Sequence, residues 1–214
     1  MRALGGQHGP SKGTIGSDMT KRQTTKSKII EAAWGLFREK GYDETTIEDI
    51  IAQSGTSKGT FYHYFSGKDA LLGSLSDIFD SYYEELVERL EPEMNSVDKL
   101  IFLSCEAHKM IGERIQPDLL ASLYSSQVVT RGDKHLLNQN RFYHQLVHQL
   151  TDEGLRRGEI RSDMSVFDAA HYFSMCERAI VYDYCISGAA FDLGAYTEKL
   201  IPVLLEGMRA RPAG

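Results

Sequence analysis

A chain of 214 residues, 42% hydrophobic and 25% charged with a formal net charge of −6, has room for one ordinary domain or a small domain joined to a larger one. The composition excludes a wholly disordered, collagenous or disulfide-scaffold protein. No apolar run approaches the roughly 18 residues that a membrane-spanning helix needs.

Residues 1–20 are rich in Gly, Ser and Thr, show no hydrophobic period and lack the apolar centre of a signal peptide. The expectation is a flexible arm over 1–22 on a cytoplasmic protein that has no membrane partner. From Lys26 the pattern changes. Ile29, Ala32, Ala33, Leu36 and Phe37 recur at one face of an amphipathic helix. Gly41 closes it, which predicts a helix over 25–40. A short second helix follows, with Thr45 or Thr46 as N-cap and Glu48 or Asp49 completing a capping box. Ile47, Ile50 and Ile51 form its apolar side, and Gln53–Ser54–Gly55 ends it. After a tight turn, Thr56 or Ser57 can cap a third helix over 58–64, and Ser66 a fourth. Two helices joined by a short turn containing Gly make a helix-turn-helix pattern.

Beyond residue 70 the chain reads as helix throughout, over 67–90, 95–114, 117–128, 133–157, 165–187 and 193–209. No stretch sustains a two-residue alternation, so the expected fold class is all-α. Pro202 lies inside the last pattern and should kink that helix or mark its first turn.

Charge is divided unevenly along this layout. Residues 1–68 hold ten Lys or Arg against seven Asp or Glu, and residues 69–214 hold 14 against 23. A basic front on an acidic body hints at a module that faces nucleic acid. Cys105, Cys176 and Cys185 form no C-x-x-C pair, which suits free thiols. On a helix, Cys176 and Cys185 project from opposite faces about 13 Å apart along the axis.

The segment 45–71, TTIEDIIAQSGTSKGTFYHYFSGKDAL, carries the chemistry. A helix that enters a major groove needs small residues at its start, donors for phosphates and base edges, and an apolar underside. Thr56, Ser57, Gly59 and Thr60 are small, Lys58 is cationic, and Tyr62 and His63 can hydrogen-bond outward. Phe61 and Phe65 face inward, and Lys68 stands where it can reach a phosphate.

These residues resemble the DNA-binding signature of the tetracycline-repressor (TetR) family of bacterial regulators. Thr46–Ile47–x–x–Ile50–Ile51, Gly55, Ser57–x–Gly59–Thr60–Phe61–Tyr62, Tyr64–Phe65 and Lys68–x–x–Leu71 match. So does the preceding Ala32–Ala33–x–x–Leu36–Phe37–x–x–x–Gly41–Tyr42. Ser54 and Thr56 depart from the family's commoner apolar or alanine residues. The resemblance implies a helix-turn-helix DNA-binding domain over 23–68 and a larger effector-binding and dimerisation domain over 69–214. It implies a homodimer on double-stranded operator DNA, acting as a repressor released by a small-molecule effector. Activation, or a response to metal or redox state, is the alternative. By the same resemblance Thr46, Tyr62 and Lys68 are phosphate contacts. Lys58, Gly59, Thr60 and His63 lie on the groove-facing side, with Thr56 and Ser57 beside them.

Residues 165–187 are apolar on nearly every side, so that helix should be buried on every side. The resemblance implies a dimer interface made by the last two long helices, to which Phe173, Ile180, Tyr184, Leu200 and Leu204 are assigned. The effector pocket is assigned Cys105, His108, Tyr124, Gln127, Tyr143, His144, His171 and Met175, whose rings and polar groups suit an aromatic or lipophilic molecule. His144 and His148 share a helix face at half a metal site's spacing, but no convergent third ligand is evident, so no metal is expected. The glycine-rich arm lacks the strand and helix that phosphate loops require, and no nucleophile elbow or Walker loop appears. No catalysis and no cofactor are expected.

Overall fold

α1 (Ile15–Lys40) buries Ile29, Ala33 and Phe37 on the face read from the sequence. It begins ten residues earlier than that reading. The computed structural model describes residues 15–129 and 134–210, with side chains from residue 25 onward. Residues 1–14 of the expected arm lie outside the described residues, and 15–22 belong to α1. α1 packs on α2 (Ile47–Ser54), and α2 packs on α3 (Lys58–Tyr64).

The turn between α2 and α3 is Gly55–Thr56–Ser57. Gly55 caps α2 in the left-handed region at φ +64°, where a side chain would be strained. Thr46 is the N-cap of α2. Its hydroxyl accepts from Asp49 N at 3.1 Å, and Asp49 Oδ2 accepts from Thr46 N at 2.9 Å. Thr45 is buried instead, and its hydroxyl donates to the Gly41 carbonyl at 2.7 Å.

The stretch 67–90, read as one helix, is two: α4 (Lys68–Leu72) and α5 (Ser74–Val87), parted at Gly73. A Cβ at Gly73 would lie 2.8 Å from Nε2 of His135, so the imidazole occupies the space that a side chain would need. Ser74 secures the break, donating to the Leu71 carbonyl at 2.6 Å while accepting from Trp34 Nε1 at 3.1 Å.

α6 (Ser96–Arg114), α7 (Pro117–Val129) and α9 (Val166–Ile186) keep the expected spans to within a residue or two. α8 (Phe142–Arg156) starts nine residues later than expected. Its lead-in holds a 3₁₀ turn, His135–Leu137, and a bend in which Asn140 N donates to Asn138 Oδ1 at 3.0 Å. Such local side-chain bonding competes with helix. α10 (Leu193–Leu205) contains Pro202 and runs on into a second 3₁₀ turn, Glu206–Met208.

The fold is all-α, with no strand among the described residues and one isolated bridge between Ile160 and Arg209. α6 packs most extensively on α10 and also meets α5, α8 and α9, while α4 touches α5 and α7. Among the described residues, no helix is long and apolar enough to cross a membrane.

Candidate nucleic-acid interface and internal cavity

Phe61 and Phe65 are buried beneath α3 with ring centroids 5.8 Å apart. They fix which side of this short helix faces out. On that outer side Ser57 is the N-cap, accepting from Thr60 N at 3.1 Å, with its hydroxyl 2.8 Å from that of Thr60. Thr56 is half-buried, its hydroxyl 2.8 Å from that of Ser54. Lys58, Gly59 and His63 are exposed, and Tyr62 keeps 48% of its surface in solvent.

Lys58 reaches Glu48 at 3.2 Å across an open surface. An exposed pair of this kind is weak and exchanges readily for another anion. Thr46 is exposed at the start of α2, and its hydroxyl donates to Asp49 Oδ2 at 2.6 Å. The bonds from Lys40 and Thr46 hold the Asp49 carboxyl well below the usual carboxylate range.

Lys68 is placed differently from the outward reach expected of it. It is half-buried rather than projecting outward, and its ammonium donates to the carbonyls of Tyr42 at 2.7 Å, Asp43 at 3.2 Å and Thr45 at 3.0 Å. All three of its protons are therefore engaged. The same nitrogen lies 4.3 Å from the centre of the Tyr42 ring.

The larger helical part encloses a cavity of about 60 Å³ between α5, α6, α7, α8 and α9. His108, Tyr124 and Tyr143 line it, as assigned from the sequence, together with Phe79, Met110 and Leu136. The other five assigned residues do not line it. Gln127 instead clamps the lead-in to α8, its Oε1 accepting from Leu136 N at 3.2 Å. His144 and His171 line a separate surface groove, together with His148. Met175 is exposed on the outer face of α9, and Cys105 is half-buried on α6 with its thiol pushed up to about 11 by burial. The 100° turn per residue explains the α9 misassignments, because 171 and 175 face away from 173, 177 and 180.

Glu177 was missed, although adjacent charges inside an apolar helix are a legible anomaly. It is buried, and its carboxylate accepts from the hydroxyls of Tyr143, Ser104 at 2.7 Å and Tyr83 at 3.3 Å. Burial raises its proton affinity.

His108 is buried beside it. The Thr197 hydroxyl donates to the Leu193 carbonyl at 2.7 Å, so its oxygen is left to accept from His108 Nδ1 at 2.8 Å. That makes Nδ1 the donor and places Nε2 4.0 Å from Glu177 Oε1. Burial pushes the imidazole down from 6.5 to about 4. A histidine that resists protonation when folded contributes stability in full above 6.5 and loses it as pH falls toward 4. His108→Gln should therefore flatten the fall in urea midpoint over that interval. An unchanged pH profile would contradict the assignment.

The interface residues also need correction. Phe173, Ile180 and Tyr184 are buried inside the chain and closed to a partner, whereas Leu200 and Leu204 are half-buried. The apolar side chains that reach solvent are Phe167, Met175, Tyr182 and Ile186 on α9 and Val203 on α10.

Residues 29–75 match the family model of bacterial regulatory proteins, tetR family. The chain is 22% identical over 205 residues to the HTH-type transcriptional repressor KstR2 of Rhodococcus jostii (strain RHA1), covering 89% of this chain and 94% of that protein. It is 27% identical over 190 residues to the HTH-type transcriptional regulator HbdR of Aromatoleum sp. (strain CIB), covering 85% and 79%. Among solved structures, Thermus thermophilus FadR, a TetR-family repressor in complex with lauroyl-CoA, superposes with a TM-score of 0.70. The identity is 23%, with 87% of this chain and 96% of that one covered. FadR of Bacillus subtilis in complex with stearoyl-CoA gives a TM-score of 0.64 at 22% identity, covering 86% and 100%. At these identities the two superpositions establish a shared fold.

Proposed function

The chain belongs to the tetR family of bacterial regulatory proteins, and from that premise we propose that it is a cytoplasmic transcriptional repressor, binding a pseudo-palindromic operator as a homodimer and released by a small-molecule effector. The observation that carries the proposal is the outer face of α2 and α3, where Thr46, Lys58, Gly59, Tyr62 and His63 stand exposed around a helix pinned by Phe61 and Phe65. In two copies, such helices enter successive major grooves. Thr46, Lys58 and Tyr62 take phosphates in this reading, while Gly59, Thr60 and His63 face the bases. Lys68 acts from within, holding the loop that carries Thr46. The domains are then 23–68 for DNA and 69–214 for effector and partner.

The exposed residues Phe167, Met175, Tyr182, Ile186 and Val203 supply the dimer face, because apolar patches of this kind are covered in assemblies. Effector control runs through the lead-in to α8. Leu136 lines the cavity while its neighbour His135 covers Gly73, where α4 parts from α5. Arg141 ties the same segment to α5, donating to Asp80 at 2.7 and 3.1 Å. A cavity of about 60 Å³ is far below the roughly 300–1,000 Å³ of ligand sites. An effector must therefore part these walls, which shifts His135 against Gly73 and moves α4 with the DNA-binding helices. The relatives captured with lauroyl-CoA and stearoyl-CoA support an effector with a long apolar portion. DNA must in turn weaken effector binding by the same factor.

The test is capture and sequencing of fragmented source-genome DNA at fixed salt, compared with a Lys58→Ala/Tyr62→Ala control. One or a few enriched palindromes are expected, with log affinity falling about 0.9 per phosphate contact against log salt. A folded protein that enriches nothing over the control would refute the reading.

A further inference from the structure

Two guanidinium groups line the internal cavity, and they are differently placed. Arg141 is committed: it donates to both carboxylate oxygens of Asp80 and to the Ser76 carbonyl at 3.3 Å. Arg178, half-buried on α9, has no hydrogen bond or ion pair among the described residues. Five donors in a planar fork are thus left without an acceptor, and partly buried charges are ordinarily paired. The adjacent carboxylate of Glu177 is felt electrostatically, but its hydrogen bonds go to three hydroxyls and none to Arg178.

Arg178 is also the one residue shared between the cavity and the groove on the outer side of α8 and α9. The two sides differ in chemistry. Inward lie Phe79, Met110, Leu136 and Val181. Outward lie Gln139, His148 and His171, able to hydrogen-bond, beside the apolar Leu137, Val147 and Phe167. Arg178, with no hydrogen bond or ion pair of its own, therefore stands where the apolar chamber meets a groove that carries imidazole and amide groups, and Glu177 repels a negative group from the inner side.

Building on the reading of the cavity as the effector site, we propose that Arg178 binds the anionic group of an amphipathic effector. The apolar portion of that molecule lies in the enlarged cavity and its carboxylate or phosphate lies in the groove. The planar guanidinium suits either anion through paired N–H···O bonds. Methionine at position 110, flexible and polarizable, suits a wall that must reshape around an alkyl chain.

The experiment measures calorimetric binding of laurate, lauroyl-CoA and dodecanol to the full chain and to its Arg178→Gln and Arg178→Lys variants, each checked for an unchanged thermal melt. The wild type should bind laurate or lauroyl-CoA more tightly than dodecanol. A carboxylate site prefers laurate, and a phosphate site prefers lauroyl-CoA. Arg178→Gln should weaken the preferred anion about 10- to 100-fold, the loss of one hydrogen bond to a charged group, while dodecanol is unaffected. Arg178→Lys should restore part of the loss. Equal affinity for the anion in Arg178→Gln and wild type, dodecanol bound as well as the anions, or no binding of any of the three would each overturn the proposal. Operator capture by the same preparation reports separately on the regulator reading, which falls only if that capture fails.

Discussion

Glu177→Ala is expected to cost about 3–5 kcal/mol of folding stability, since each buried donor left unsatisfied costs about 1–3 kcal/mol and the vacated space adds to that. Tyr143, Ser104 and Tyr83 converge on this carboxylate from α8, α6 and α5. Deleting it strands the hydroxyls of Ser104 and Tyr83 in a place that solvent does not reach, leaves Tyr143 only Ser174 Oγ at 3.1 Å, and widens the cavity. Both changes destabilise. Glu177→Gln keeps an acceptor and should cost less than the alanine variant. The two also differ from wild type in pH dependence. Burial raises the proton affinity of Glu177 in the folded state, so its contribution is full below the ordinary carboxylate value and is lost as pH rises through the folded one. That fall should vanish in Glu177→Gln, leaving only the acid-side loss set by His108. Urea midpoints measured from pH 4 to 8 read both effects. An alanine variant as stable as wild type would mean that the cluster is not the organising contact of the larger helical part.

Why the sequence revealed one half of this molecule better than the other follows from the kind of signal each half carries. The α2–α3 unit is specified locally: Thr46 and Asp49 are three residues apart, Gly55 must adopt positive φ, and Phe61 and Phe65 sit one helical turn apart. Each of these is a short-range rule. The fate of Lys68 depends on carbonyls 23 to 26 residues earlier in the chain, which no local pattern encodes. α9 poses a different difficulty. A helix apolar on all sides has no preferred direction by periodicity, so the core residues Phe173, Ile180 and Tyr184 could not be told from the exposed Met175, Tyr182 and Ile186. Charges within it, Glu177 and Arg178, were the better guide to the cavity. The break at Gly73 likewise required knowing that His135 packs there.

Lys68→Met and Lys58→Met should separate structure from DNA contact. Removing the Lys68 ammonium takes away three hydrogen bonds to main-chain carbonyls. Water can solvate part of what remains, so a loss of about 2–3 kcal/mol is expected. Operator affinity of the folded fraction should keep the salt slope of wild type. Lys58 makes one exposed contact, to Glu48, so its loss should leave stability within about 0.5 kcal/mol while the salt slope shrinks by about 0.9. Denaturant melts together with operator titrations at several salt concentrations distinguish the two variants. If Lys68→Met instead reduces the slope and leaves stability intact, Lys68 releases the loop and turns to phosphate on DNA. Lys68 opens α4, and its carbonyl bonds fasten that helix to the loop preceding Thr46. A displacement of α4 caused by His135 pressing on Gly73 would therefore reach the DNA-facing surface through this side chain, together with the Tyr42 hydroxyl that donates to Asp69 Oδ1. In that case Lys68→Met should also blunt effector-driven release from the operator beyond any loss of affinity.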